Sequence, residues 1–185
     1  MKAGDAKAIE PILLTNLTRA IDFVKFGEAK NAALLTFASA WLLASANLVM
    51  NPAARAVPQI LWGVIGGAPF LGVAAFFAVL SFLPRDSLKS FVRKDPDPTN
   101  LMFFGHLGVL APKEGFQHIA DRYLDRTGRG ELTEAYLCDL GCQIVVNSKI
   151  ASWKFGLFRK GVFALLLGLL IYFFSAVILV LDRTF

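Results

Sequence analysis

The chain has 185 residues, of which 56% are hydrophobic and 17 are phenylalanine, and its mean hydropathy is +0.56. This composition is typical of a membrane protein and argues against an ordinary soluble domain. The formal net charge of +5 could indicate binding to nucleic acid. Basic residues beside membrane spans already explain such a charge, so we expect no nucleic-acid polymer as a partner.

Residues 1–31 are expected to form an N-terminal segment before the first membrane span. Within it, residues 8–31 form a helix that leads directly into that span. Side chains spaced three or four apart share one face of this helix: Leu13, Leu17, Ile21, Val24, Glu28 and Asn31. A carboxylate on a buried face needs a cationic partner, which Lys25, Lys30 or another helix could supply. Alternatively, the helix rotates as it enters the headgroup zone and Glu28 stays solvated.

Three charge-free stretches predict transmembrane helices, over residues 32–50, 60–83 and 161–181. The last is long enough to cross a hydrocarbon core of about 30 Å. Pro69 should kink the second span because proline removes a backbone hydrogen bond. Because the spans contain no Asp, Glu, Lys, Arg or His, a proton relay or an ion-coupled transporter is not expected.

Rows of small residues on the spans favour close packing, either among the three helices or against another copy of the chain. They are Ala33, Thr36, Ala40 and Ala44 on the first span, Gly63, Gly67 and Gly72 on the second, and Ala164, Gly168 and Ser175, with Tyr172, on the third. Packing against another copy would give a homo-oligomer, which is the state that we expect.

The distribution of basic residues predicts the orientation in the membrane. All but two of the 19 lysines and arginines precede the first span or lie between the second and third; the exceptions are Arg55 and Arg183. Since basic residues concentrate on the cytoplasmic side, the N-terminus and residues 84–160 are predicted to be cytoplasmic. The 51–59 connection and the 182–185 tail are then outside, in a multi-pass membrane protein.

The cytoplasmic segment has helical rather than strand-like patterns. Asp95-Pro96-Asp97-Pro98 indicates a loop, and Pro112 can begin a helix whose amphipathic face contains Phe116, Ile119, Ala120, Tyr123 and Leu124. After Gly128-Arg129-Gly130, a last helix begins near Glu131 and meets no proline before Leu181. The predicted fold is therefore an all-α membrane protein with three spans and a small cytoplasmic helical bundle, formed by helices continuous with the spans.

Residues that commonly carry catalysis do not form a recognisable set. Cys138 and Cys142 are four apart on a predicted helix, but no second Cys/His pair completes a metal site, and His106 and His118 are isolated. We interpret the cysteines as reduced and packed. No phosphate-binding glycine loop or nucleophile motif is present in the sequence, so we expect neither an enzyme nor a cofactor.

A polar row on the last helix is the first candidate binding surface. Gln143, Asn147 and Lys154 follow one another along this face. The amides offer donors and acceptors, and the lysine offers a charge that suits phosphate. The alternative is an interfacial helix with one solvated face.

Three segments together resemble motifs of the Pycsar transmembrane effector family of bacterial antiphage defence. They are Gly27-Glu28-Ala29-Lys30-Asn31-Ala32-Ala33, Asn100-Leu101-Met102-Phe103-Phe104-Gly105-His106-Leu107, and Gln143-Ile144 followed by Asn147-Ser148-Lys149-Ile150 and Lys154. The sequence departs from the family pattern at Glu28, where aspartate is more usual, at Asn31, where alanine is expected, and at His106, where an acid is usual. The resemblance covers most of residues 10–181.

The resemblance implies a sensor that kills the infected cell. A partner cyclase makes a cyclic pyrimidine mononucleotide, cyclic CMP or cyclic UMP, during phage infection. The effector binds it and disrupts the inner membrane, which results in abortive infection. Two alternatives are an effector that responds to a cyclic oligonucleotide and a membrane-anchored helical adaptor for a protein partner. An ordinary channel or transporter is a third.

On this reading, the three motif segments converge on the nucleotide, and Glu28, Asn31 and His106 are candidate site residues through their motifs. Lys154 and Lys30 would contact the cyclic phosphate, and Phe103 or Phe104 would stack on the base. The base edge would be read by Asn100, Gln143 and Asn147. A structural interpretation is also open, in which Asn100 caps a helix, the phenylalanines fill the bundle core and Lys30 pairs with Glu28. Ligand binding would draw the last helix towards the first and move the spans joined to them.

Overall fold

The computed structural model describes residues 3–83, 100–102, 107–124 and 133–184. Five helices occupy most of this part of the chain: α1 (Ala3–Met50), α2 (Pro52–Arg55), α3 (Pro58–Leu80), α4 (Pro112–Tyr123) and α5 (Glu134–Thr184). No strand occurs among the described residues, so the all-helical prediction is confirmed for them.

Three of these helices, α1, α3 and α5, are long and apolar enough to cross a membrane. The first and third predicted spans lie within α1 and α5, whereas α3 ends at Leu80, three residues before the predicted end of the second span. The first span and the helix before it form one helix from Ala3, and α3 continues through Pro69. The described part of the chain is therefore helical, with three helices that could span a membrane.

The chain divides into two compact units. One consists of Met1–Lys25 and Pro84–Ser152, and we call it the polar unit. The other consists of Phe26–Leu83 and Trp153–Phe185, and we call it the apolar unit. Helix α1 is divided between the two units after Lys25, and α5 is divided after Ser152.

In the apolar unit, α1 and α5 run parallel. Their register is defined by three pairs whose residue numbers differ by 127 in each case: Gly27 with Lys154, Leu34 with Gly161, and Ser45 with Tyr172. Helix α3 runs in the opposite direction, and its neighbours on α5 are Gly168 beside Gly67, Gly161 beside Ala74, and Lys154 beside Ser81. At the far end, Gln59 bonds to Asp182 and Ser175 donates to the Gln59 carbonyl.

Small residues make the contacts where the three helices meet. Ala38, Ala74 and Ala164 form a buried cluster with one residue from each helix. The glycines at 67 and 168 allow α3 and α5 to approach closely, as the small-residue rows predicted. The predicted row on the first span is exposed in the single chain, because it lies on a different face of α1 from the buried Leu34, Ala38 and Ser45. Its packing against another copy stays a prediction.

Gly67→Ala should lower the free energy of unfolding by about 1–3 kcal/mol, the usual effect of overpacking. A Cβ atom at position 67 would lie 2.5 Å from Cε2 of Tyr172 and 3.0 Å from the Gly168 carbonyl oxygen. The matched control is Gly72→Ala on the same helix, because a Cβ atom there meets nothing within 4 Å. It should be neutral or stabilising by up to about 1 kcal/mol. Unfolding in mixed micelles titrated with SDS measures both, and equal effects would contradict the packing.

The buried face of α1 differs in part from the predicted one. Ala20, Gly27 and Asn31 are buried, whereas Ile21 and Glu28 are exposed. Ile21 and Glu28 each lie one position after a buried residue and therefore point away from the contact. Asn31 was predicted correctly, as were the half-buried Leu13 and Leu17.

The predicted apolar face of α4 is mostly exposed. Only Tyr123 is buried, while Phe116 is 72% exposed and Ile119 and Leu124 are also exposed. The interpretation of both cysteines as packed is wrong for Cys138, which is exposed, whereas Cys142 is partly buried.

Candidate functional site

The centre of the candidate site is the ammonium group of Lys154, on α5. It donates a hydrogen bond of 2.8 Å to the Ser81 carbonyl and forms a 3.0 Å ion pair with Oε1 of Glu28. Only 7% of Lys154 is exposed. Ser81 is the C-cap of α3, where carbonyl groups lack intrahelical donors and a cation is favoured. One lysine therefore connects all three long apolar helices, and we call Glu28, Asn31, Ser81 and Lys154 the Lys154 cluster.

Asn31 completes the cluster from α1. Its Nδ2 donates to the Gly27 carbonyl at 2.8 Å and to the Lys154 carbonyl at 3.2 Å, and the side chain is fully buried. Gly27 permits this approach, since a Cβ atom there would lie 3.3 Å from Cβ of Lys154. The Oδ1 atom of Asn31 has no hydrogen-bond partner among the described residues. The amide thus joins α1 to the α5 backbone next to the lysine.

The partner of Glu28 comes from another helix, which was one of the alternatives left open by the sequence. Lys25 pairs with Asp22 instead, at 3.6 Å. Lys30 lies over aromatic rings, with its Nζ at 4.5, 5.6 and 5.4 Å from the ring centroids of Phe26, Phe155 and Phe158. The Glu28 side chain is nevertheless 48% exposed, so water also reaches this carboxylate.

The other candidate side chains of the described chain lie in the polar unit. Asn100 is buried, and its Oδ1 accepts a hydrogen bond of 3.0 Å from the Met102 backbone N–H, within a turn. Nδ2 of Asn147 donates to the Gln143 carbonyl at 2.8 Å, and Nε2 of Gln143 has no partner among the described residues. Phe103, Phe104 and His106 fall outside the described residues, so their predicted roles stay predictions.

A buried charge network in the polar unit was missed by the sequence reasoning. Asp139 accepts hydrogen bonds from Nε of Arg122 at 2.8 Å, from Nη2 of Arg122 at 3.2 Å and from the hydroxyl of Tyr123 at 2.8 Å. The Leu101 backbone N–H donates to the same Tyr123 hydroxyl at 3.1 Å. The Thr133 hydroxyl, just before α5, donates a further hydrogen bond to the Arg122 carbonyl on α4. This network holds α4 against the first turns of α5.

Burial, together with the hydrogen bond to Asp139, raises the pKa of Tyr123 from 10.0 to about 12. Because the folded-state pKa lies above the unfolded one, the contribution of Tyr123 to stability is complete below about pH 10 and is lost as the pH rises towards 12. Chemical unfolding of the purified protein between pH 9 and 12 should show this decline. Tyr123→Phe should flatten it, and an unchanged slope in that variant would contradict the assignment.

The fold and the comparisons with known proteins agree on the class of protein. Residues 12–181 match the family model of the Pycsar effector protein domain, PycTM. The chain is also 34% identical over 144 residues to the Pycsar effector protein RsPycTM of a Rhizobium species, over 78% of this chain and 81% of that protein. This chain therefore belongs to the Pycsar effector family, as its three sequence motifs indicated. No solved structure matches it.

Proposed function

We propose that this membrane protein is an antiphage effector that binds a cyclic pyrimidine mononucleotide and then disrupts the inner membrane, which causes abortive infection. Family membership and the three apolar helices support this proposal. In the proposed orientation, the N-terminus and residues 84–160 are cytoplasmic, where a partner cyclase would release the nucleotide. The effector itself would carry out no chemical reaction.

The observation that carries the ligand proposal is the Lys154 cluster. A cyclic phosphate is a monoanion, and it binds best to charge-assisted donors. The Lys154 ammonium already holds one anion, the Glu28 carboxylate, and that carboxylate is half exposed. The phosphate would replace Glu28 at Lys154, and Glu28 would turn into water at little cost.

This exchange would change contacts in all three membrane-crossing helices. Glu28 belongs to α1, Ser81 caps α3 and Lys154 belongs to α5. Loss of the ion pair would free α1 from the side chain that also holds the end of α3. This differs from the expectation that the ligand draws the two helices together, because they are already in contact at Gly27 and Lys154. A ligand shifts a conformational equilibrium only as far as it binds one state better, and a phosphate that requires Glu28 to leave favours the rearranged state.

The remaining predicted contacts are part of the proposal. Asn100, Gln143 and Asn147 would read the edge of the base, Phe103 or Phe104 would stack on it, and the rearranged chains would associate into homo-oligomers. The three amide groups are suitable because a pyrimidine edge presents both donors and acceptors.

The direct test uses the protein in lipid nanodiscs and calorimetry with cyclic CMP, cyclic UMP, cyclic AMP and a cyclic dinucleotide. A cyclic pyrimidine nucleotide should bind, and it should release dye from vesicles that contain the protein. Glu28→Gln should bind it about two- to fivefold more tightly, because no exposed ion pair has to be broken. The matched control is Asp22→Asn, which removes the exposed partner of Lys25 and should bind like the unmutated protein.

Three outcomes would contradict the proposal. Binding of none of these nucleotides would remove the sensor, and binding without dye release would remove the membrane-disrupting step. A response confined to cyclic oligonucleotides would favour the alternative ligand class.

A further inference from the structure

Three basic residues form a band on α1 and α5, near one end of the apolar unit. Lys30 on α1 and the adjacent Arg159 and Lys160 on α5 lie between two levels of the helix register. One level contains Lys154 and Ser81, and the other contains Gly161 and Ala74. The two levels are seven residues apart along α5, which corresponds to about 10 Å. The charge-free segment of α5 begins where this band ends.

The cations of this band differ from Lys154 in their surroundings. Lys154 has a carboxylate partner, whereas Lys30, Arg159 and Lys160 have no carboxylate within ion-pair distance among the described side chains. Arg159 and Lys160 are exposed. The Lys160 ammonium lies 5.9 Å from the ring centroid of Phe77. The positive charge of the band is therefore not neutralised by the described part of the protein.

The apolar side chains around the band indicate that its negatively charged partner is a lipid. Large side chains point outward around the band, with Phe26, Phe76 and Phe163 exposed by 52%, 60% and 66%. In a membrane protein such side chains contact acyl chains, and basic residues beside them reach the headgroup layer. Anionic headgroups attract basic residues at this depth.

We propose that Arg159 and Lys160, with the added charge of Lys30, form a binding site for anionic phospholipids. The lipid phosphate pairs with the two α5 cations, and its acyl chains cover the exposed phenylalanines. A lipid is favoured over a free phosphate because the exposed phenylalanine rings within and beside the band require an apolar partner.

The test measures thermal unfolding of the protein in two kinds of nanodisc. One kind contains pure phosphatidylcholine, and the other also contains phosphatidylglycerol. The anionic lipid should raise Tm by roughly 4 °C or more. The double variant Arg159→Gln/Lys160→Gln should lose this increase, and Arg159→Lys/Lys160→Arg should keep it. Lys30 is left unchanged because it is also a candidate nucleotide contact, and no nucleotide is added. A failure here therefore leaves the proposed sensing function untouched.

The matched control is Arg55→Gln/Arg183→Gln, which removes the same charge from two exposed positions outside the band. It should keep the increase. Equal loss in both double variants would show a general effect of net charge and would overturn the proposal, as would full retention in Arg159→Gln/Lys160→Gln. Glycerol phosphate in detergent that reproduces the increase would show a site for soluble phosphate instead. Similar Tm values of all variants in pure phosphatidylcholine would confirm that they fold.

Discussion

Lys154→Met is expected to abolish nucleotide-triggered dye release while the protein still folds. Methionine fills a similar volume, and replacing a buried charge by an apolar side chain is often tolerated when its partner is not left buried. Glu28 is half exposed and can be hydrated. The Ser81 carbonyl loses its donor, so the free energy of unfolding should fall by about 1–3 kcal/mol.

The control for this prediction is Lys25→Met, the same chemical change in an exposed ion pair with Asp22. It should leave both stability and dye release close to those of the unmutated protein. Calorimetry separates the two steps, since Lys154→Met should lose nucleotide binding as well as release. Normal binding and release by a folded Lys154→Met protein would show that the Lys154 cluster is structural only.

Asp139→Ala is expected to have the largest effect on stability, with a loss of about 3–5 kcal/mol. The substitution removes the carboxylate that accepts two hydrogen bonds from Arg122 and one from Tyr123. Asp139 is 4% exposed, so water replaces these bonds poorly. Denaturant unfolding, followed by circular dichroism, measures the change.

The matched control is Asp22→Ala, because Asp22 also pairs with a cation but the pair is exposed. It should cost no more than about 1 kcal/mol. The double variant Asp139→Leu/Arg122→Met should recover part of the loss, since the arginine charge is removed together with its carboxylate. An Asp139→Ala protein as stable as Asp22→Ala would contradict the buried network.

The three long helices could be predicted because length and absence of charge are local properties of a sequence. Which face of α1 is buried was harder to predict. A stripe through Ile21 and Glu28 has the same periodicity as the observed one through Ala20 and Gly27, and hydrophobicity favoured the larger side chain. The observed contact instead depends on small size, because Gly27 lets α1 approach Lys154.

The candidate site could be predicted only in part. The residue type of Lys154 and its position beside a membrane span indicated that it binds an anionic group. Its hydrogen bond to the Ser81 backbone carbonyl could not be predicted, because a backbone contact does not depend on the type of side chain at position 81. The Arg122–Asp139 pair joins α4 to α5 across a sequence segment without a helical period. Such a pair becomes evident only when the two helices are placed side by side.

The parallel register of α1 and α5 restricts where the chain tolerates changes in length. A residue added after Gly27 would turn everything beyond it by about 100°, and Leu34 and Ser45 would both leave their partners Gly161 and Tyr172. The two parallel helices should therefore keep a fixed number of residues from their first contact to their last.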